Sequence, residues 1–211
     1  MVPDFELLTA WRDGDADAGR ELFSRHFDGV YRFFRNKVGG AAEDLTQQTF
    51  MGIVKGKDSF RGDSSFRTYL FMVARKRLYS FLRENHRKPD AVEFHSTSVA
   101  DLGGLSPSRA VAVREEQKLL LLGLRQLPVE MQVALELFYW EDMSVTEIAE
   151  VLEIPVGTVK SRLQRARSRL DEVIAQLAGS EALHRSTMDN FEKWARDLQA
   201  HMGPSEGERP K

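Results

Sequence analysis

Residues 144–170 read SVTEIAEVLEIPVGTVKSRLQRARSRL: a helix, a tight turn and a second, strongly basic helix. Ser144 with Glu147 three residues on is a capping box, in which each side chain satisfies a backbone N–H left orphaned at the helix start. Val145, Ile148, Ala149 and Leu152 recur at helical spacing. Ile154 and Pro155 break the run, and Pro155 suits the first turn of a new helix, where its missing N–H is not needed. Val156, Val159, Leu163, Ala166 and Leu170 make the inward stripe of that helix. Thr158, Lys160, Ser161, Arg162, Gln164, Arg165, Arg167, Ser168 and Arg169 are left facing outward. From Lys160 to Arg169 there are five cations and no acid.

A short capped helix, a turn and a basic second helix form a helix-turn-helix, whose second helix enters the major groove. The residue types suit that task. Lys and Arg neutralise phosphates, and Arg binds guanine in a bidentate fork. Ser and Gln offer short donors and acceptors to base edges, and Gly157 lets backbone approach closely. The candidate duplex-reading residues are Thr158, Lys160, Ser161, Arg162, Gln164 and Arg165. The blander alternative is a solvated basic face, against which the capped first helix and the Pro-Val-Gly-Thr-Val entry both argue.

IPVGTVKSRLQRARSRL resembles the DNA-reading end of bacterial RNA polymerase sigma factors of the small extracytoplasmic-function (ECF) group, within the sigma-70 family. The resemblance implies that this segment recognises the promoter −35 element as duplex. Glu153 departs from it, standing where the family often has Gly in the turn. A non-Gly residue at positive φ costs stability.

Composition bounds the rest. The 211 residues are 42% hydrophobic and 29% charged, ordinary for a globular protein of one large or two small domains. A net charge of −2 and a pI near 6.2 are low for a protein that binds DNA alone. Either the charge is unevenly spread or a partner supplies much of the affinity. With no cysteine there is no disulfide, zinc ribbon or thiol chemistry. The start MVPDFELL is acidic and lacks a signal-peptide pattern, and no apolar run is long enough to span a bilayer. A cytoplasmic protein without membrane insertion is expected.

Along the chain, Phe5, Leu8 and Trp11 mark a short amphipathic helix. Leu22, Phe23, Phe27, Val30, Tyr31 and Phe34 give a helix over 18–38 with an aromatic core face, ended by Gly39 and Gly40. The next helix, 41–55, buries Leu45, Phe50 and Ile53 and carries Glu43 and Asp44 near its start, where acids suit the helix dipole. Its DLTQQTF is similar to the sigma-factor segment that docks on the clamp helices of the polymerase largest subunit. The resemblance therefore implies core-polymerase contacts by Asp44, Gln47, Gln48 and Phe50, with Gln48 where the family commonly has an acid.

A polar loop, 57–65, leads to a helix over 66–84 that Ser64 or Ser65 can cap. Phe66, Leu70, Val73, Ala74, Arg77 and Phe81 share one side, so Arg77 must snorkel or pair. Residues 61–88 hold eight cations against Asp63 and Glu84. Cations interleaved with aromatics suit single-stranded DNA, because charge tracks the backbone while rings stack on unpaired bases, about 1–3 kcal/mol each. The family resemblance implies the same use, melting the promoter and capturing the −10 element. The candidate residues are Arg61, Ser64, Phe66, Arg67, Tyr69, Arg75, Lys76 and Arg83. Tyr69 stands where Trp is common in the family, and Lys76 where Asn is usual.

Residues 86–107 carry Pro and Gly with weak periodicity and read as a linker. Some twenty extended residues reach roughly 65–70 Å, about two turns of DNA. A helix over 108–127 and the run LPVEMQVALELFYW follow, with Val133, Leu137 and Trp140 inward, resembling the sigma segment that supports the helix-turn-helix. The tail from 182 to 202 looks helical, with Leu183, Met188, Phe191, Trp194, Ala195 and Leu198 partly on one face. It is either a cap on the second domain or a segment that gates access to DNA or polymerase.

The expected fold is all-α. Residues 1–88 form one helical domain (sigma region 2), 89–110 a flexible linker, 111–176 the helix-turn-helix domain (sigma region 4) and 177–211 a C-terminal extension. The resemblance implies a sigma factor that binds core RNA polymerase and directs promoter-specific transcription initiation, touching duplex −35 and melted −10 DNA. No nucleophile, metal-ligand or phosphate-loop constellation appears, so neither an enzyme nor a cofactor or small-molecule substrate is expected. An anti-sigma factor is a further partner that the family implies. The alternative is a stand-alone helix-turn-helix regulator that does not engage polymerase. A sigma mimic that sequesters a regulator would not need the basic helix.

Overall fold

The computed structural model describes residues 2–86 and 114–201. The expected linker, Arg87 and Lys88 of the basic island, and the chain end beyond 201 lie outside the described residues. Among the described residues the secondary structure is helical throughout, and no helix is long and apolar enough to cross a membrane.

The first unit is α1 (Asp4–Arg12), α2 (Ala16–Val38), α3 (Ala42–Gly56) and α4 (Phe66–His86). Asp15 caps α2 by accepting from the amides of Asp17 and Ala18 at 2.8 and 3.1 Å. Gly39 ends it at φ +53°, a conformation that glycine adopts without steric cost. Tyr31, Phe33 and Phe34 of α2 are buried, and Phe33 meets Phe71 of α4 edge to face at 5.7 Å. The buried hydroxyls of Thr46 and Thr49 donate back to the carbonyls of Ala42 and Leu45, so α3 carries polar side chains inward with their hydrogen bonds made. Ser65 caps α4 by accepting from the Thr68 amide at 3.0 Å.

Two inward stripes differ from expectation. In α4 the buried line runs Phe66, Leu70, Ala74, Leu78, in steps of four, with Phe71 beside it. Arg77 is exposed and needs no snorkel. In α1, Leu7 takes the inward place beside Leu8, and Phe5 is exposed.

The second unit is α5 (Glu115–Arg125), α6 (Val129–Tyr139), α7 (Val145–Leu152) and α8 (Val156–Leu177). The capping box forms as expected, with Ser144 N–H on Glu147 Oε2 at 2.9 Å and Glu147 N–H on Ser144 Oγ at 3.2 Å. Glu153 closes α7 in the left-handed region, φ +55°. The inward stripe of α8 holds, with Val159, Ala166 and Leu170 buried.

The tail is two helices, α9 (Glu181–Asp189) and α10 (Phe191–His201), instead of one. Asn190 separates them, and its side-chain amide donates to the Ser186 carbonyl at 3.0 Å, a local bond that competes with helix continuation. Phe191, Trp194 and Ala195 are buried in a cluster with Leu119, Leu120, Leu124 and Leu170. The tail thus packs as a cap on the second unit.

The two units also pack on each other, α4 along α7 and α2 against α6. The apolar cluster that holds the first unit together continues into Val133, Leu137, Ile148, Ala149 and Leu152.

Candidate nucleic-acid and polymerase interfaces

On α3 the outward line is Asp44, Gln47, Met51 and Val54. Met51 and Val54 are about half exposed despite being apolar, and Asp44 accepts from Gln48 at 2.8 Å. Phe50 is not on this face. It is buried against Phe23 and Phe27, with ring centroids at 4.7 and 6.0 Å, so it supports the face from beneath. Met51 and Val54 extend the candidate face beyond the residues that the motif named. Their signal in the sequence was the steps of four and then three that follow Gln47.

The loop 57–65 is braced from α1. Arg12 donates to the carbonyls of Lys57 and Phe60, and Lys57 Nζ to Trp11 O at 3.1 Å. Phe60 stacks on Tyr69 at 4.6 Å, with its ring under the Arg12 guanidinium. Arg61 is exposed at the loop tip, Ser64 is half-buried, and Arg83 is exposed further along α4. Phe66 is buried beside the His26 ring at 5.5 Å, which removes it from the strand-facing set. Arg12 and Phe60 brace the loop, and the sequence did not single them out, because nothing local to α1 marks a contact forty-five residues away.

Arg67, Arg75 and Lys76 are turned toward the second unit. Arg75 donates to the Leu152 carbonyl and pairs with Glu153, and Lys76 Nζ lies 3.3 Å from the same carboxylate. Partial burial pushes Glu153 up, but the hydrogen bonds and charges of Lys76 and Arg75 outweigh it and hold the carboxyl below its ordinary value. Arg67 is close enough to Glu141 and His26 to act on both, while its Nε and one terminal nitrogen are buried with no hydrogen-bond partner.

A buried polar cluster lies beneath. Lys37 of α2 pairs with Glu136 of α6, both side chains only 2% exposed. Asn36 donates to Glu136 at 2.8 Å and accepts from Arg125 at 3.0 Å. Burial pushes the Lys37 ammonium down, against the opposing pull of Glu136. Arg32 meets Glu141 at 3.2 Å, and burial raises the Glu141 carboxyl despite that partner. A Cβ on Gly29 would come 2.8 Å from Glu141, so the glycine admits the carboxylate.

On α8, Lys160, Ser161, Gln164 and Arg165 are exposed and Thr158 is half-buried. Arg165 Nε donates to the Ser161 carbonyl at 3.3 Å along its own helix. A Cβ on Gly157 would meet nothing within 4 Å, so the helix start is open. Arg162 leaves the row, its side chain largely buried against Glu130 at 3.1 Å. Arg167 pairs with Glu192 of α10 at 2.7 Å and lies over the rings of Tyr139 and Phe191.

The family profile described as Sigma-70 region 2 matches residues 22–88, and that described as Sigma-70, region 4 matches residues 117–170. The ECF RNA polymerase sigma-E factor of Salmonella typhi is 32% identical over 185 residues, covering 84% of this chain and 97% of its own. The ECF RNA polymerase sigma factor SigW of Bacillus subtilis is 30% identical over 179 residues, covering 79% and 94%. Among solved structures, the sigma factor RpoE of Bartonella quintana, determined with the anti-sigma factor NepR, superposes with a TM-score of 0.60 at 24% identity over 74% of this chain and 96% of that one. CnrH, determined with the cytosolic domain of CnrY, gives a TM-score of 0.60 at 22% identity over 83% and 99%.

Proposed function

The chain belongs to the ECF group of the sigma-70 family, and from that premise we propose how its residues divide the work of promoter-directed initiation. It binds core RNA polymerase and directs transcription initiation at a subset of promoters. Residues 1–88 dock on the polymerase and capture the melted −10 element, 89–110 link, 111–176 read duplex −35 DNA, and the two helices of the extension, α9 and α10, cap the second unit. The chain catalyses nothing itself and acts in the cytoplasm, where the polymerase does the chemistry.

The polymerase face is Asp44, Gln47, Met51 and Val54, with Gln48 holding Asp44. The observation that carries it is the half-exposed Met51 and Val54, continuing a polar line on one helix face; exposed apolar side chains rimmed by polar ones mark a protein contact. The −10 strand falls to Arg61, Ser64, Tyr69, Arg83, Arg67, Arg75 and Lys76, with Arg12 and Phe60 holding the loop in place. The −35 duplex falls to Thr158, Lys160, Ser161, Gln164 and Arg165, with Arg162 positioning the helix through Glu130. An anti-sigma factor is a third partner class, supported by the fold likeness to a sigma factor solved with its anti-sigma factor.

Met51→Asp, which puts a charge on the apolar part of the docking face without touching the core, is expected to weaken binding to core polymerase at least tenfold, or about 1.4 kcal/mol. Binding of a −35 duplex by the free chain should be unchanged. Titration of dye-labelled chain with core enzyme reads the first and a gel shift the second. Undiminished core binding removes α3 from the interface.

A further inference from the structure

Helix α1 stands ahead of the residues that the region 2 profile matches, yet its last turn reaches the loop that precedes α4. Arg12 Nε donates to the Lys57 carbonyl at 2.8 Å, and one terminal nitrogen donates to the carbonyls of both Lys57 and Phe60. Lys57 returns the contact, its ammonium donating to the Trp11 carbonyl at 3.1 Å and lying 4.9 Å over the Trp11 ring. The Arg12 guanidinium also lies 5.9 Å over the Phe60 ring, on which Tyr69 stacks at 4.6 Å.

This brace has a fixed mount. Leu7 and Leu8 are buried. The Trp11 ring meets Phe23 of α2 edge to face at 5.1 Å. It also lies so close to Gly19 that a Cβ there would come within 2.6 Å of it. Arg12 is thus held to α2 through its neighbour. The far end of the loop is fixed separately, by Ser65 accepting from the Thr68 amide at 3.0 Å. Residues 61–64 bridge the two anchors, with Gly62 at φ +81°, Arg61 exposed and Ser64 half-buried.

Phosphate contacts and ring stacking accept any base. Telling one base from another needs donors and acceptors held in place before the base arrives. A guanidinium that satisfies two carbonyls and covers a ring is committed to the shape of the loop.

We infer that Arg12, with Lys57 as its counterpart, is a positioning residue that sets base discrimination within the −10 element through the shape of the 61–64 tip. The inference rests on the sigma reading above and gives α1 a part in it.

The test uses holoenzyme assembled from core polymerase and the full chain. The probe is a dye-labelled fork-junction DNA with a duplex −35 element and a single-stranded −10 element, each −10 base replaced in turn. Arg12→Met removes the guanidinium. Arg12→Lys keeps the charge but loses the rigid fork that spans two carbonyls. Lys57→Met breaks the opposite half of the brace and lies outside the core, so it carries the test even where an Arg12 change loosens α1. In the parent, replacing the preferred base at the most sensitive −10 position is expected to weaken binding about tenfold or more. In all three variants that ratio is expected to fall to about threefold, while affinity for the most weakly bound probe stays within about twofold of the parent, because phosphate contacts and stacking remain. Arg12→Met combined with Lys57→Met should do no more than either alone, as the two belong to one brace.

Undiminished base preference in the variants overturns the inference. So does an equal loss across all probes in Arg12→Met that Arg12→Lys restores, which would make Arg12 a phosphate contact. Parent holoenzyme that binds no probe better than core polymerase alone counts against the sigma reading. A parent that discriminates, beside variants that discriminate equally well, counts against the brace alone.

Discussion

Replacing Glu136 by Ala should part the two helical units while leaving each folded. In the closed chain Lys37 lies over the Phe33 ring, donates to the Phe33 carbonyl at 2.6 Å and pairs with Glu136. Truncating Glu136 leaves that ammonium buried without its paired carboxylate, with only the more distant Glu141 acting on it, and such losses cost about 3–5 kcal/mol. Opening removes the penalty, because Lys37 then meets water. The expected result is a larger radius of gyration in small-angle scattering with helix content unchanged. The double change Lys37→Met with Glu136→Leu should behave oppositely and remain closed, since well-packed apolar substitutes for a buried pair are often neutral or stabilising. A single variant as compact as the parent would mean that the pair does not hold the units together.

The second large effect is expected at Trp194. Its ring is buried in the cluster with Leu119, Leu120 and Leu124, and its indole N–H donates to the Ser186 carbonyl at 3.4 Å. Trp194→Ala should cost about 3–5 kcal/mol, as large-to-small core changes do. In a chain of this size that is a fall in Tm of roughly 10 °C. The change should also free Arg167 from Glu192, so the variant should bind −35 duplex no more weakly than the parent. A Tm within a degree or two of the parent would show that the tail does not cap the second unit.

Much of this was legible in the sequence, because the signals involved are local. The capping box at Ser144, the start of α8 after Pro155 and the glycine end of α2 each depend on a few consecutive residues. What could not be read is what one unit does to the other. Asn36, Lys37 and Glu136 look like ordinary polar positions, and they are buried where one unit packs on the other. Glu153 was visible as an odd residue for its turn, but its partners Arg75 and Lys76 lie seventy-eight and seventy-seven residues away on α4. Phe50 and Phe66 were assigned to partners by their place in a motif. Their burial shows that a motif fixes a helix and its register without saying which of its residues face out. Arg77 was placed inward by a step of three where the helix keeps to steps of four. The break at Asn190 escaped notice because no Gly or Pro marks it.

The central claim is that this chain gives core polymerase its choice of promoter. Run-off transcription with bacterial core polymerase on a pooled promoter library, with and without the chain and with Arg165→Ala, tests it most directly. The account predicts starts at one defined promoter class only when the chain is present. It also predicts relaxed or weakened dependence on the upstream element in the Arg165 variant, by about 1–3 kcal/mol of discrimination. A chain that never associates with core, yet shifts duplex DNA unaided, would contradict it and establish a stand-alone helix-turn-helix regulator instead.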